Sequence, residues 1–465
     1  MRILISTFAT LIFTVPVVAD ELRVGAAAVV ITPPIGTPMA GYYSERAAEG
    51  VHDDLYAKAL VLEKDGAKAA LVSLDLISTV RQVVTEARRE IERTTGVRGD
   101  AVMISATHSH TGPLMNNRGT REAVLGGTSD LALRYTAELP IKLAQAVKLA
   151  EERLAPARAT IGHGHEGSIA FNRRYHMADG SVGWNPGKLN PRILKPAGPI
   201  DPDLPVVVFA SPTKKPLAVY ANYAVHLDNI GGLKFSADVP YTFSKLLADV
   251  LGPEIVTVYT TGCCGDVNHV DVNWAEPQKG FENAARMGTI LAAEVLRTMP
   301  RLKPVADGSL RVKSEIVKLP LAPVTREEVT KARDSVKRRG DGRSTNRVPF
   351  LEQVQAFKVL DVDARHGQPH EVEVQVVAIG REVAWVSLPG EIFAELGLAL
   401  KQDSPFPHTI IAELANGSVG YIPARRAFAQ GNYEVVSTRC AEGSGELLVA
   451  TAVRLLKELF AEGQK

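Results

Sequence analysis

Two histidines one residue apart, His108 and His110, stand in the run Ala106-Thr107-His108-Ser109-His110-Thr111-Gly112-Pro113, directly after the apolar stretch Val102-Met103-Ile104. On an extended chain that spacing puts both imidazoles on one side. A third histidine, His226, follows the apolar run 217–223, and Glu391, in Pro389-Gly390-Glu391, follows the run 383–388. The run 409–414 leads into Asn416-Gly417 and then Tyr421, and the run 255–259 leads into Gly262-Cys263-Cys264-Gly265-Asp266-Val267-Asn268-His269. Ligands of α/β folds collect in the crevice beyond the carboxyl ends of the strands, so five such segments can converge on one site. Imidazole nitrogen and carboxylate oxygen, without a thiolate cluster, suit zinc with one coordination position left for water. A metal so held lowers the pKa of that water and polarises a carbonyl, which is what hydrolysis of an amide requires.

Taken singly, each of these residues has a plainer reading. His108-x-His110 reads as a wet strand end, and His226 as a hydrogen-bonded core histidine. Glu391 suits a helix N-terminus and Tyr421 a half-buried aromatic position. His163 and His165 alternate as on a strand with one wet face, and His52-Asp53-Asp54 reads as a loop entering a strand.

The elements that must carry these residues alternate along nearly the whole chain. Strands are predicted over 57–62, 69–74, 101–105, 205–210, 217–223, 255–259, 372–379, 383–388 and 409–414. Helices are predicted over 81–94, 131–152, 241–250, 282–298, 326–338 and 445–461. The pattern predicts an α/β fold: a mixed, largely buried β-sheet core flanked by helices, with the metal site at strand ends. The Gly/Pro-rich stretch 179–203 reads as a long surface loop, and the basic stretch 331–347 as a solvated helix followed by a connection. No internal repeat is evident in the sequence.

Composition narrows the function classes. The 465 residues carry 53 basic against 52 acidic side chains, so no net field favours nucleic acid or an anionic surface. Residues 1–19 read as a secretory signal: Arg2, a mostly apolar run over 3–18 that is too short to span a bilayer well, and a small residue at Ala19. No later stretch is apolar for long enough to cross a membrane, so a secreted or periplasmic protein is expected. Three cysteines are too few for a disulfide scaffold. Export would favour one bond, from Cys440 to Cys263 or Cys264, if both loops line one pocket.

Read together, the motifs resemble the N-terminal catalytic domain of the neutral/alkaline, non-lysosomal ceramidases. The opening Val24-Gly25-Ala26, Ile31-Thr32-Pro33-Pro34 and Met39-Ala40-Gly41-Tyr42 is similar to the start of that family, as is Val51-His52 to Ala57-Lys58-Ala59. The resemblance continues at intervals to about residue 438, and residues 20–465 are expected to form one zinc hydrolase domain. It implies zinc held by His108, His226, Glu391 and Tyr421, with His110 as acid/base or oxyanion-stabilising group. It implies Tyr433, in Asn432-Tyr433-Glu434, as a donor to the substrate carbonyl, and Arg173, after Asn172, as a pocket-lining cation. Ser236-Ala237-Asp238 stands where the family has a similar turn. Asn268 stands where the family usually has serine after Gly-Asp-Val, and with His269 it is expected to orient the polar head of the substrate. The C-terminal β-sandwich domain of the family is expected to have no counterpart after Lys465.

The implied activity is cleavage of an N-acyl amide, ceramide among the possible substrates, by metal-activated water, placing the chain in lipid and sphingolipid metabolism. The partner is then a small-molecule or lipid amide. Two rivals stand beside this reading: a zinc hydrolase of a different amide or ester, and a secreted binding protein that kept the fold without the activity.

Overall fold

The computed structural model of the chain describes residues 21–117, 119–306, 308–340 and 348–463. The expected signal segment 1–19 and part of the basic stretch 331–347 lie outside the described residues. Three main β-sheets follow in succession, each built by the same device: antiparallel strands, then a helical crossover to one parallel edge strand.

The first sheet contains β1 (Arg23–Val30), β2 (Tyr56–Lys64), β3 (Ala67–Leu74) and β4 (Val102–Ala106), in the order β4-β3-β2-β1. β1, β2 and β3 pair antiparallel, and α1 (Arg81–Thr95) carries the chain over to β4, which lies parallel to β3. The second contains β5 (Arg158–His165), β6 (Asp203–Ala210), β7 (Pro216–Tyr223) and β8 (Val256–Thr261). Here β5, β6 and β7 pair antiparallel, and α3 (Val239–Leu251) leads to the parallel β8. The third contains β9 (Leu310–Leu319), β10 (His370–Ile379), β11 (Val383–Ser387) and β12 (His408–Ala412), with α7 (Ala394–Asp403) crossing from β11 to the parallel β12. The remaining large helices are α2 (Asp130–Glu152), α4 (Phe281–Thr298), the paired α5 (Arg326–Gly340) and α6 (Phe350–Asp363), and α8 (Ser444–Glu462).

Strand alternation explains how the sheets stack. Along β2, Leu60 and Leu62 face one core while Ala57, Ala59 and Val61 face another; along β6, Val207 and Phe209 oppose Val206 and Val208. On β11, Val383 and Trp385 oppose Ala384 and Val386. The first residue of each contrast lies in one core shared by all three sheets, where Tyr220 meets Trp385 edge to face with centroids 5.9 Å apart. Each outer face has its own helical cover: α1 and α2 on the first sheet, α3 and α4 on the second, α7 and α8 on the third. Both faces of these strands are therefore buried, and they read as near-continuous apolar runs. The helices keep helical periodicity: Leu448, Ala452, Leu455 and Leu459 of α8 are all buried.

The mixed α/β core flanked by helices is as expected from the sequence. Two local readings are corrected. The stretch 179–203 is not one irregular loop: Val182–Trp184 and Ile193–Pro196 pair with Arg174–Met177 in a small three-stranded sheet. Strands this short carry too few residues to display alternation. Helix α6 was not anticipated, because its buried residues Val354, Ala356, Phe357, Val359 and Val362 surround the axis instead of marking one stripe.

Candidate metal centre

The carboxyl ends of the parallel strand pairs deliver the chemistry, one pair from each sheet. The chain leaving β4 turns through His108, whose φ of 73° lies in the left-handed region that side chains other than glycine seldom adopt. Its backbone N–H donates to the Leu76 carbonyl at 2.9 Å, which fixes the turn against β3. His226 follows β7, Glu391 follows β11, and Tyr421 pairs with Glu391 through a short parallel bridge.

Four side chains meet at a common point. The Nε2 of His226 lies 3.2 Å from Oε2 of Glu391 and 3.4 Å from the Tyr421 hydroxyl. The Nε2 of His108 lies 3.5 Å from the same carboxylate oxygen. Four ligands at zinc–nitrogen and zinc–oxygen distances of about 2.0–2.1 Å on a tetrahedron stand about 3.4 Å from one another, so these edges fit a zinc-sized cation. His110 also approaches, its Nε2 at 3.3 Å from Nε2 of His108. One ligand atom from each of His108, His110 and His226 falls within 4.8 Å of the other two.

The tautomers follow from what the opposite ring nitrogens meet. Nδ1 of His108 lies 2.7 Å from the Ile77 carbonyl, and Nδ1 of His110 lies 3.0 Å from the Gly41 carbonyl. Nδ1 of His226 lies 3.4 Å from the Cys264 sulfur. Each Nδ1 is thus a donor, and three Nε2 lone pairs face one another beside a carboxylate. Without a cation that arrangement is repulsive; with one, the lone pairs that face it are already in the deprotonated form a metal needs.

The electrostatics agree. Burial lowers His110 to about 4 against the pull of Asp228, and burial together with Arg173 holds His226 well below the usual imidazole range. Burial would raise Glu391, but its close contacts with His226 and His108 outweigh that and hold it well below the usual carboxylate range, in the ionised form. Solvent reaches the cluster from one side, since His110 and Glu391 are 12% and 14% exposed while His108 and His226 are sealed.

The surroundings are built to hold these positions. Gly41 has φ 104°, and a Cβ there would sit 2.6 Å from the His110 carbonyl oxygen. Gly265 is as confined, with Glu391 carbonyl oxygen 2.4 Å from where its Cβ would be. Tyr42 donates to Asp228 at 2.8 Å, and Asp228 stands 3.9 Å from Nδ1 of His110. Arg173 donates to Glu434 at 2.8 Å and to the Gly265 carbonyl at 2.7 Å, with its guanidinium 5.4 Å from the Tyr421 ring centroid. Tyr433 packs on Tyr421 at 5.3 Å and opens an aromatic wall that runs through Trp184, at 4.4 Å, to Phe350.

Asn268 and His269 are buried. The Asn268 amide donates to Asn185 at 3.1 Å and accepts from the Val270 N–H at 3.1 Å. The expected disulfide is corrected: Cys263, Cys264 and Cys440 are all free, buried thiols. Cys264 donates to Glu413, while Cys263 packs beside Gly397. His163 and His165 lie on β5, where His163 bonds Asp203 and His408 away from the cluster. Sequence reasoning missed Glu413. Its signal was a carboxylate in the apolar run Ile410-Ile411-Ala412-Glu413-Leu414-Ala415.

The profile of the family described as neutral/alkaline non-lysosomal ceramidase, N-terminal, matches residues 22–230, a span that includes His108, His110, Arg173 and His226. A crystal structure of neutral ceramidase from Pseudomonas aeruginosa superposes with a TM-score of 0.75 at 21% identity, covering 94% of this chain and 75% of that one. The fold is that of a neutral ceramidase. A ceramidase complexed with C2 agrees, with a TM-score of 0.74 at 19% identity over 94% of this chain and 76% of that one. No curated protein matches the sequence. The family resemblance read from the motifs is therefore borne out, and the neutral ceramidase fold accounts for all three sheets.

Proposed function

We propose that this chain is an exported, zinc-dependent amide hydrolase, one domain over 20–465, that cleaves an N-acyl amide, with ceramide-like lipids as the leading substrate class. The observation that carries the reading is the set of three imidazoles whose Nδ1 atoms are tied up and whose Nε2 atoms face the ionised Glu391. His108, His226, Glu391 and Tyr421 would hold the metal, which when bound supplies Lewis acidity and a water of lowered pKa. His110 serves as the proton carrier. Its Nδ1 is committed to the Gly41 carbonyl, so Nε2 is the basic atom, neutral and on the exposed side of the cluster. It takes the proton of the attacking water and returns it to the departing amine. Tyr433 donates to the developing oxyanion, and Arg173, braced by Glu434, stabilises charge there through Tyr421. Asn268 and His269, both buried, are assigned to orienting the polar head of the substrate. The aromatic wall of Tyr433, Trp184 and Phe350 offers an apolar surface to an acyl or sphingoid chain.

Export is supported by the composition of residues 1–19, and no described helix is long and apolar enough to cross a membrane. The test is metal analysis of freshly purified protein together with hydrolysis of N-acyl lipids and short N-acyl amines. About one zinc per chain is expected, with turnover of at least one class of amide. Absence of any bound transition metal, or of turnover across the panel by the metal-loaded protein, would refute the proposal.

A further inference from the structure

We propose that Cys264 and Glu413 form a positioning pair that fixes the ring of His226 and the backbone beside Glu391 for metal binding; the inference deepens the metal-centre reading and rests on it. The sulfur of Cys264 accepts from Nδ1–H of His226 at 3.4 Å, and the thiol donates to Oε1 of Glu413 at 3.0 Å. The other carboxyl oxygen of Glu413 accepts from the N–H of Ile392, the residue after Glu391, at 2.7 Å. Glu413 is itself held, its N–H donating to the Thr261 carbonyl at 3.1 Å. One buried carboxyl thus reaches two proposed ligands: His226 through the thiol and Glu391 through the chain.

Cys264, Glu413 and Thr261 are all fully buried. A carboxyl in such a place is costly unless each oxygen has a partner, and here each has one. The thiol is no nucleophile for the reaction, because the His226 ring lies between it and the Nε2 cluster. His108 and His110 are oriented by main-chain carbonyls, whereas His226 depends on this side-chain chain. Its tautomer is therefore the one that single substitutions can release. Hydrogen bonds of this kind to a ligating imidazole are worth 10- to 100-fold in metal affinity.

The experiment compares zinc affinity, by chelator competition, and the visible spectrum of the cobalt(II) form for the full chain and three variants. Cys264→Ala should weaken zinc about 10- to 100-fold and shift the cobalt bands. Cys264→Ser, which keeps a donor and an acceptor, should stay close to wild type, and Glu413→Gln should fall between. If Cys264→Ala does not fold, Cys264→Val, which fills the site with apolar atoms and has neither donor nor acceptor, carries the same expectation. A role in packing alone would lower the melting temperature of the metal-free protein and leave affinity and spectrum untouched. That outcome overturns the pair while the metal centre stands. A wild type that binds neither zinc nor cobalt overturns the metal-centre reading, and this inference with it.

Discussion

Glu434 is fully buried between two guanidinium groups, accepting from Arg173 at 2.8 Å and from Arg174 at 2.7 Å. Glu434→Gln preserves shape but removes the only charge that answers both arginines within this trio, and it turns an NH2 toward one of them. Removing one partner of a buried ion pair costs about 3–5 kcal/mol, because the opposite charge stays buried and unanswered. Unfolding entropy of about 2.1 cal/mol/K per residue gives about 1 kcal/mol/K for a chain of this size, so the melting temperature should fall by about 3–5 °C. The site should feel the same change, since Arg173 also holds the Gly265 carbonyl and packs on Tyr421. Turnover should drop about tenfold while the metal is retained, the scale of a modest loss of positioning. Scanning calorimetry, metal analysis and amide hydrolysis on one preparation check all three. A melting temperature within about 1 °C of wild type would refute the reasoning, since the arginines would then not depend on Glu434.

Gly41→Ala places a Cβ against His110 at a φ of 104°, so a loss of about 1–3 kcal/mol in stability and a fall in turnover at unchanged zinc content are expected, read by calorimetry and kinetics. Asn268→Ala should cost at most about 1–3 kcal/mol of transition-state stabilisation, measured as kcat/KM, whereas His108→Ala should abolish both activity and metal. Burial opposes ionisation of Asp203, but His163 and Lys401 together lower it to about 2 from the ordinary 3.8. That contribution, about 2 kcal/mol, is present above pH 4 and lost as pH falls through 2. Asp203→Asn should flatten that acid limb in denaturant titrations. Asp75, pushed up to about 6 by burial, acts with the opposite sign: its contribution is present below pH 4 and fades as pH rises through 6, so Asp75→Asn should relieve the loss at neutral pH.

Most of the architecture was legible because β2, β6, β10 and β11 are buried on both faces and read as unbroken apolar runs. The residues that follow β4, β7 and β11 were legible for the same reason: polarity after such a run stands out, as at His108, His226 and Glu391. What did not show was whatever depends on neighbours distant in sequence. The Nδ1 contacts of His108 and His110 go to the carbonyls of Ile77 and Gly41, which carry no side-chain signal. The thiols invited a disulfide, yet Cys264 has its partner in Glu413, just past the end of β12 and far along the chain. Helix α6 escaped because it is enclosed on several sides and shows no polar face to set a period.

The three sheets each contain a crossover of their own, and the proposed metal ligands are drawn from all three: His226 lies 165 residues from Glu391 and 195 from Tyr421. Each crossover can thus form from contacts local to its own stretch of chain, while the ligand cluster requires all three to be docked. The cluster cannot form until the three are docked, and a cation bound there would clasp them together. Because closing a loop costs only about 0.6 kcal/mol more for each doubling of its length, the strength of that clasp is set by the ligands and hardly by the spans between them. Chelation should therefore loosen the seams between sheets, visible as faster hydrogen exchange at β4, β7 and β11 edges, well before any one sheet comes apart.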